Sequence, residues 1–213
     1  MKKIMFNDKF CLTQAVLDGT KTMTRRIEKP AKMADGYTIG DVRRFFCGCT
    51  GGNKRIFGLV NKKGDTIGIL FPRYQVGEVV AVAQCYLDIG NPQFDKFGHD
   101  VPGNTNKMFV KVSLMPHHIK ITDVRMERLQ AISDEDCLRE GVIFYDKNQD
   151  VAPYPQYFVY DMTAKTKLLK SKTGFKGFWD AKSAYAALID KISGEGTWLR
   201  NPWVMVYEFK KVD

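Results

Sequence analysis

The stretch "KRIFGLVNKKGDTIGILF", Lys54 to Phe71, predicts two short strands joined by a turn. Its two halves are rich in β-branched and aromatic residues, and Lys63-Gly64-Asp65 separates them. The stretches "GDVRRFF" (40–46) and "VGEVVAVAQCY" (76–86) have the same character. Several short strands divided by turns are typical of a barrel or a sandwich.

Further strands are predicted in the second half of the chain. The stretches "KMFVKVSLM" (107–115), "HHIKITDVRMERL" (117–129) and "NPWVMVYEF" (201–209) are strand-like, and a long loop from about Ile89 to Asn106 precedes them. The alternation of apolar residues within 117–129 slips by one position, which a bulge near Thr122 or Asp123 would explain.

Three helices complete the predicted fold. The first runs from Asn7, as its N-cap, to about Asp18, with Gly19 in the left-handed conformation that ends a helix. The second begins at Ser133, carries three acidic residues in its first turn and ends at Gly141. The third lies within 178–192, where Trp179, Tyr185, Leu188, Ile189 and Ile192 recur at helical spacing. Short helices without regular strand-helix alternation predict an α+β fold, a small mixed β-barrel with short flanking helices.

The size and composition of the chain favour a single intracellular domain. It has 213 residues, of which 44% are hydrophobic, enough for one domain with insertions. No apolar run reaches the length of a membrane span, and no signal-peptide core follows the first residues. Five cysteines without a framework spacing indicate reduced thiols. We therefore expect a cytoplasmic protein without a membrane partner, and its oligomeric state is left open.

The net charge points to anionic partners. The 33 basic and 24 acidic residues give a formal charge of +9, the electrostatic character of many nucleic-acid binders. Charge alone leaves open a protein with ordinary solvated lysines. The same two alternatives hold for the lysine-rich segment 161–191, as a solvated loop or as an arm that follows phosphates.

A metal site is not expected. Cys47 and Cys49 flank a single glycine, which is not a usual zinc spacing, and His99, His117 and His118 do not supply a strong set of further ligands. No cofactor is therefore predicted.

The stretch "LDGTKTMTRR" (17–26) is the first candidate for a functional site. Lys21 can activate the hydroxyl of Thr24 or a water molecule, while Arg25 and Arg26 supply positive potential for an anion or a developing oxyanion. The alternative is ordinary surface chemistry after a helix. The spacing of Lys21 and Thr24 does not decide between them, because the two side chains share a face only if the chain turns or bulges after Gly19.

Glu140 is the second candidate. A carboxylate in the last turn of a helix faces the negative end of the helix dipole, which costs about 0.5 kcal/mol. A surface glutamate tolerates this cost without any function. If Glu140 reaches Lys21 across the fold, it can move a proton to a leaving group.

The order of these motifs resembles that of the ASCH domain, a relative of the PUA domain, in its longer phage and mobile-element form. The similar segments are 1–30, 72–86, 106–142 and 183–210. The resemblance implies one PUA-like domain over 1–213, with insertions near 31–70, 87–105 and 143–180. In members similar to the small N4-acetylcytidine amidohydrolases, a G-x-K-x-x-T segment and a glutamate of the acidic helix form the catalytic set. They correspond here to Lys21, Thr24 and Glu140.

The resemblance also implies a cleft for RNA or a modified nucleoside. The expected activity is metal-independent hydrolysis of an N4-acyl group of a modified cytidine. Residues expected to bind the substrate are Gly19, Arg25, Arg26, Tyr74 and Trp203, the two aromatic rings by stacking on a base or, alternatively, as packing residues. Ala81, Ala83 and Gln84 stand where longer members commonly carry tryptophan, arginine and glutamate. The competing interpretations are a non-catalytic RNA-binding module and a protein-interaction factor of a mobile element.

Overall fold

The computed structural model describes residues 1–27, 41–47, 54–145, 156–160 and 175–213, and the side chains of 45–47 and 175 are excluded. Eleven strands are formed within these ranges: β1 Lys3–Ile4, β2 Met23–Ile27, β3 Asp41–Cys47, β4 Lys54–Val60, β5 Thr66–Leu70, β6 Val79–Val82, β7 His118–Arg128, β8 Ile143–Phe144, β9 Tyr157–Tyr160, β10 Phe175–Phe178 and β11 Trp203–Lys211. The α-helices there are α1 Leu12–Leu17, α2 Asp134–Arg139, α3 Ala181–Ser193 and α4 Thr197–Arg200.

These strands form three sheets. The largest has the order β1-β6-β7-β11-β2, and two three-stranded sheets have the orders β3-β4-β5 and β10-β9-β8. The two smaller sheets lie within the predicted insertions near 31–70 and 143–180. The prediction of an α+β fold is confirmed. The strand pairs of the described ranges do not close a barrel, because β1 and β2 remain the edges of the largest sheet.

One hydrophobic core joins the largest sheet to both smaller sheets and to α3. It combines apolar side chains of the long strands with those of the other elements, among them Ile119, Val204, Leu59, Val159 and Leu188. The cluster is continuous because β7 and β11 are long, adjacent and apolar on their buried positions. Burial of this apolar surface is the main favourable contribution to folding.

The predicted bulge in β7 is confirmed. Glu208 of β11 pairs with Asp123, whereas the next residue, Phe209, pairs with Ile121, so Thr122 is the extra residue. On the opposite edge of β11, the backbone N–H of Phe209 donates to Thr22 O at 2.9 Å, next to the pairing with β2. The bulge therefore restores the apolar alternation that the sequence interrupts.

The first predicted helix is interrupted. Asn7 caps a 3-10 turn, Asp8–Phe10, and α1 begins only after Cys11, whose φ of +53° is left-handed. A residue in that conformation cannot continue a right-handed helix. The end of the helix agrees with the prediction, since Gly19 has a φ of +75°.

The predicted strand 107–115 is wrong. This segment forms two 3-10 turns, Lys107–Phe109 and Val112–Leu114, and Asn106 caps the first by accepting from the N–H of Met108. The amino group of Lys3 binds the carbonyl oxygens of Lys107, Met108 and Val110 at 2.8 to 2.9 Å. These carbonyls thus find their partner in a side chain and not in a neighbouring strand.

The other two predicted helices are confirmed with one change of boundary. The side chain of Ser133 accepts from the N–H of Asp136, and Gly141 follows α2 with a φ of +108°. Helix α3 begins later than expected, because Asp180 caps it and accepts from the N–H of Ser183. Trp179 lies outside the helix and is exposed.

Candidate functional site

A buried ion pair between Lys21 and Glu140 is the centre of the candidate site. The side chains are 2% and 5% exposed, and the amino group of Lys21 donates to Glu140 Oε2 at 2.7 Å and to its backbone oxygen at 2.6 Å. Lys21 is held just after α1 by its N–H, which donates to Ala15 O at 2.9 Å. Glu140 is the C-cap residue of α2. The fold thus joins two candidates that are 119 residues apart.

Arg25 connects this pair to two further carboxylates. Its guanidinium is buried and lies 3.3 Å from Glu140 Oε1, 2.6 Å from Glu127 Oε1 and 2.8 Å from Asp136 Oδ2. Burial alone disfavours the charge of Arg25, but these carboxylates outweigh burial and raise the pKa of the guanidinium. Arg25 therefore remains charged, and its donors are committed to protein groups.

The charge network continues across the sheet to residues that the sequence did not identify as candidates. Arg125 donates to Glu127 Oε2 at 3.1 Å and to Asp136 Oδ2 at 3.0 Å, and it also contacts Glu208. Arg139 donates to Glu208 Oε2 at 2.8 Å. Arg125 and Glu127 are two residues apart, so they lie on one face of a strand. The strand order adds that Arg125 of β7 and Arg25 of β2 both pair with Val206 of β11, which lies between them. The network ties α2 to the sheet.

The environment of Lys21 makes its neutral form more accessible. Burial lowers the pKa of its ammonium group, and the charges of Arg26 and Arg25 act in the same direction. Glu140 opposes this shift, but burial is the larger effect. Tyr185, which lines the same cavity, is also buried, and burial together with Glu140 raises the pKa of its phenol well above the usual value. Of Lys21 and Tyr185, Lys21 is therefore the group whose neutral form is suited to accept a proton.

Thr24 lines the same cavity as Lys21 and Glu140. It is buried in β2 and pairs in register with Tyr207 of β11. Its hydroxyl makes no hydrogen bond to another described residue. Thr24 and Lys21 therefore both line one cavity, which the sequence spacing alone left undecided.

The cavity is large enough for a nucleoside. Its volume is about 980 Å³, within the range of small-molecule sites. Aromatic and aliphatic side chains form part of its wall, as in most ligand cavities. Its charged lining residues are mainly basic: Lys9, Lys21, Arg25, Arg26, Arg73, Lys107 and Arg200 against Asp8 and Glu140. Four of these basic residues, Lys9, Arg73, Lys107 and Arg200, were not identified from the sequence, since they lie in segments other than 17–26.

Arg26 also lies on the cavity wall, as predicted for a ligand-binding residue. Its Nη2 donates to Met5 O at 2.7 Å, and burial lowers the pKa of the guanidinium. Its Nε is buried and has no hydrogen-bond partner. Arg26 thus differs from Arg25, whose donors are occupied.

The other three residues expected to bind substrate do not line this cavity. Gly19 is exposed at the end of α1. Tyr74 is 1% exposed, donates to Lys3 O at 3.0 Å and packs edge-on against Tyr207, so no face of its ring is open to a base. Trp203 is half-buried, with the guanidinium of Arg128 4.6 Å from its ring centre. For Tyr74 and Trp203 the geometry agrees with the alternative role in packing.

Ala81, Ala83 and Gln84, the positions expected to depart from the ASCH pattern, are buried. Ala81 and Ala83 pack in a small cluster with Val110 and Met115. Gln84 is buried and its Oε1 has no hydrogen-bond partner. These three residues lie outside the cavity lining, so they do not enlarge the candidate site.

Two further features bear on binding partners. Within the described ranges, no group of three or more His, Cys, Asp or Glu side chains is arranged to hold a metal ion. No helix in those ranges is both long and apolar enough to cross a membrane. Cys49 and the lysine-rich stretch 161–174 lie outside the described residues.

No protein-family model, no curated protein and no solved structure matches this chain. The resemblance to the ASCH domain therefore stays a prediction from the order of the sequence motifs, and the function has to be inferred from the side chains around the cavity.

Proposed function

We propose that this chain is an ASCH-type, PUA-like protein that binds RNA or a nucleoside and hydrolyses the N4-acyl group of a modified cytidine. The observation that carries the proposal is the buried Lys21–Glu140 pair, which lies with Thr24 on the wall of a cavity of about 980 Å³. The resemblance assigns a catalytic role to the same three residues. A buried lysine with a lowered pKa inside a cavity supports such a role.

In the proposed reaction, neutral Lys21 accepts a proton from a water molecule. The water oxygen then bonds to the acyl carbon, and the electron pair of the carbonyl moves to its oxygen. The basic residues of the cavity favour this developing negative charge. When the bond between the acyl carbon and N4 breaks, N4 takes the proton back from the Lys21 ammonium through Glu140. The products are cytidine and a carboxylic acid.

Thr24 offers a second form of the same step. Lys21 can take the proton of the threonine hydroxyl, whose oxygen then attacks the acyl carbon and forms an ester that water hydrolyses. Both forms need Lys21 as the base and Glu140 as the carrier of the proton. The two forms differ in how turnover responds to Thr24→Ala, which removes the nucleophilic oxygen and therefore stops only the form in which threonine attacks. Thr24→Ser retains such an oxygen and is compatible with both forms.

The test is a mass-spectrometric time course with purified protein and N4-acetylcytidine. We expect conversion to cytidine by the wild type and a loss of at least about 100-fold in Lys21→Ala and Glu140→Gln, the usual scale for removal of a general acid or base. Lys63→Ala is the control, because Lys63 is exposed in the turn between β4 and β5. Circular dichroism of each variant separates a loss of fold from a loss of chemistry. Unchanged turnover in Lys21→Ala, Thr24→Ala and Glu140→Gln would refute the assignment.

A non-catalytic binding module is the second candidate function. It is favoured by the lining of the cavity, where seven basic residues face two acidic ones. A module of this kind would bind RNA with an affinity that falls steeply with salt and would turn over no acylated nucleoside. Filter binding of an oligoribonucleotide at two salt concentrations, combined with the time course, distinguishes the two functions.

A further inference from the structure

The guanidinium of Arg26 has a buried donor without a hydrogen-bond partner. Its Nη2 is fixed by the bond to Met5 O, while its Nε is buried without a hydrogen-bond partner. A guanidinium carries five N–H donors in a rigid plane, and burying one of them unpaired is unfavourable. The plane of Arg26 is therefore oriented by the protein but not satisfied by it.

Arg73 lines the same cavity as Arg26, and its charge acts on the Arg26 guanidinium. Its backbone N–H donates to the hydroxyl of Tyr207 at 3.0 Å, and Tyr207 pairs with Thr24, the second residue before Arg26. Burial is the main cause of the lowered pKa of Arg26, and the charge of Arg73 contributes to it. Two positive groups that interact with each other thus line the same cavity as Lys21 and Glu140.

Neither of these arginines has a carboxylate within ion-pair distance among the described residues, although Glu140 acts on Arg26 at longer range. Three other basic residues of the cavity are paired: Lys21 with Glu140, Arg25 with three carboxylates and Lys107 with Asp8 at 2.7 Å. Two guanidinium groups at a cavity that form no ion pair with a described carboxylate attract an oxyanion, and arginine matches the geometry of phosphate especially well.

We propose that Arg26 and Arg73 form a phosphate subsite, so that the ligand of this cavity is a phosphorylated nucleoside or a nucleotide within RNA and not a free nucleoside. The inference rests on the proposed function only for the base that occupies the rest of the cavity. A phosphomonoester and an RNA phosphodiester have the same chemistry at this subsite, and the experiment separates them.

The test is isothermal titration calorimetry at constant ionic strength with four probes. These are inorganic phosphate, cytidine, cytidine 5′-monophosphate and tetracytidylate with a free 5′ hydroxyl. We expect the monophosphate or the tetranucleotide to bind at least about tenfold more tightly than cytidine. Arg73→Gln and Arg26→Gln should remove most of this preference. Arg43→Gln, which removes the same charge from an exposed residue of β3, should leave it unchanged.

The outcomes separate the subsite from the proposed reaction. A phosphate preference that depends on Arg73, without turnover of the corresponding acylated compounds, supports the subsite and contradicts the hydrolase. Turnover of N4-acetylcytidine that is no slower than that of its 5′-phosphate, and is unaffected by Arg73→Gln, supports the hydrolase and overturns the subsite. Equal affinity for cytidine and both phosphorylated probes, with no binding of inorganic phosphate, also overturns it. Because Arg73 is exposed, its variant is expected to fold even if Arg26→Gln does not.

Discussion

Replacing Glu140 with glutamine separates the structural from the chemical role of the buried pair. The substitution keeps the size of the side chain but removes a carboxylate that contacts Lys21 at 2.7 Å and Arg25 at 3.3 Å. Arg25 retains Glu127 and Asp136. Lys21 loses its carboxylate partner, and no other described carboxylate forms an ion pair with it. The variant therefore contains a buried lysine without a counter-ion.

The expected loss of stability is large. Removing one partner of a buried ion pair typically costs about 3–5 kcal/mol, a substantial part of the roughly 5–15 kcal/mol that stabilises a domain. Glu135→Gln is the matched control, since Glu135 is exposed in the first turn of α2, and its loss should stay below about 1 kcal/mol. Lys21→Met should cost less than Glu140→Gln, because Glu140 then keeps Arg25 as its partner.

The loss should also depend on pH. Burial holds the folded-state pKa of Lys21 below its ordinary value of 10.5, so between these two values the unfolded state binds more protons and stability rises with pH. Glu140 raises the pKa of Lys21, so its removal lowers the folded-state value further and widens this window toward neutral pH. The deficit of Glu140→Gln relative to the wild type is therefore largest near neutral pH and shrinks as the pH approaches 10.5.

Urea unfolding of the wild type and the variants at about pH 7 and about pH 9.5 measures these differences. A deficit of Glu140→Gln below about 1 kcal/mol near pH 7 would contradict the reasoning. A deficit of the same size at both pH values would show that Lys21 does not carry a buried charge that depends on Glu140.

Two further outcomes are expected. Gly141→Ala should destabilise the protein more than Gly64→Ala, because both glycines have a positive φ, which costs about 1–2 kcal/mol for alanine, but only at Gly141 would the new Cβ be crowded, 2.7 Å from Leu12 Cδ2. Equal midpoints of urea unfolding for the two variants would contradict this. Cys137 should resist alkylation by iodoacetamide in the folded protein near pH 8, because burial raises the pKa of its thiol to about 12. If peptide mapping finds Cys137 alkylated as fast as the half-buried Cys11, the placement of α2 is contradicted.

Local features of the fold were largely predictable from the sequence. The cap at Ser133, the left-handed Gly19 and the bulge at Thr122 each depend on a few neighbouring residues, so the pattern of the chain contains them. One local prediction was wrong for a reason outside the segment concerned. The strand expected over 107–115 is replaced by turns whose carbonyls bind Lys3, about a hundred residues earlier in the chain.

The pattern of residues along the chain predicts most of the strands and helices and nominates Lys21, Thr24 and Glu140 as chemical groups. The buried contact between Lys21 and Glu140 exists only in the folded chain, because 119 residues separate them. The fold also distinguishes two adjacent arginines, since Arg25 forms ion pairs with three carboxylates and Arg26 forms none with the described residues. A side chain's burial, charge partners and cavity depend on which strands become neighbours, and residue types alone do not specify that order.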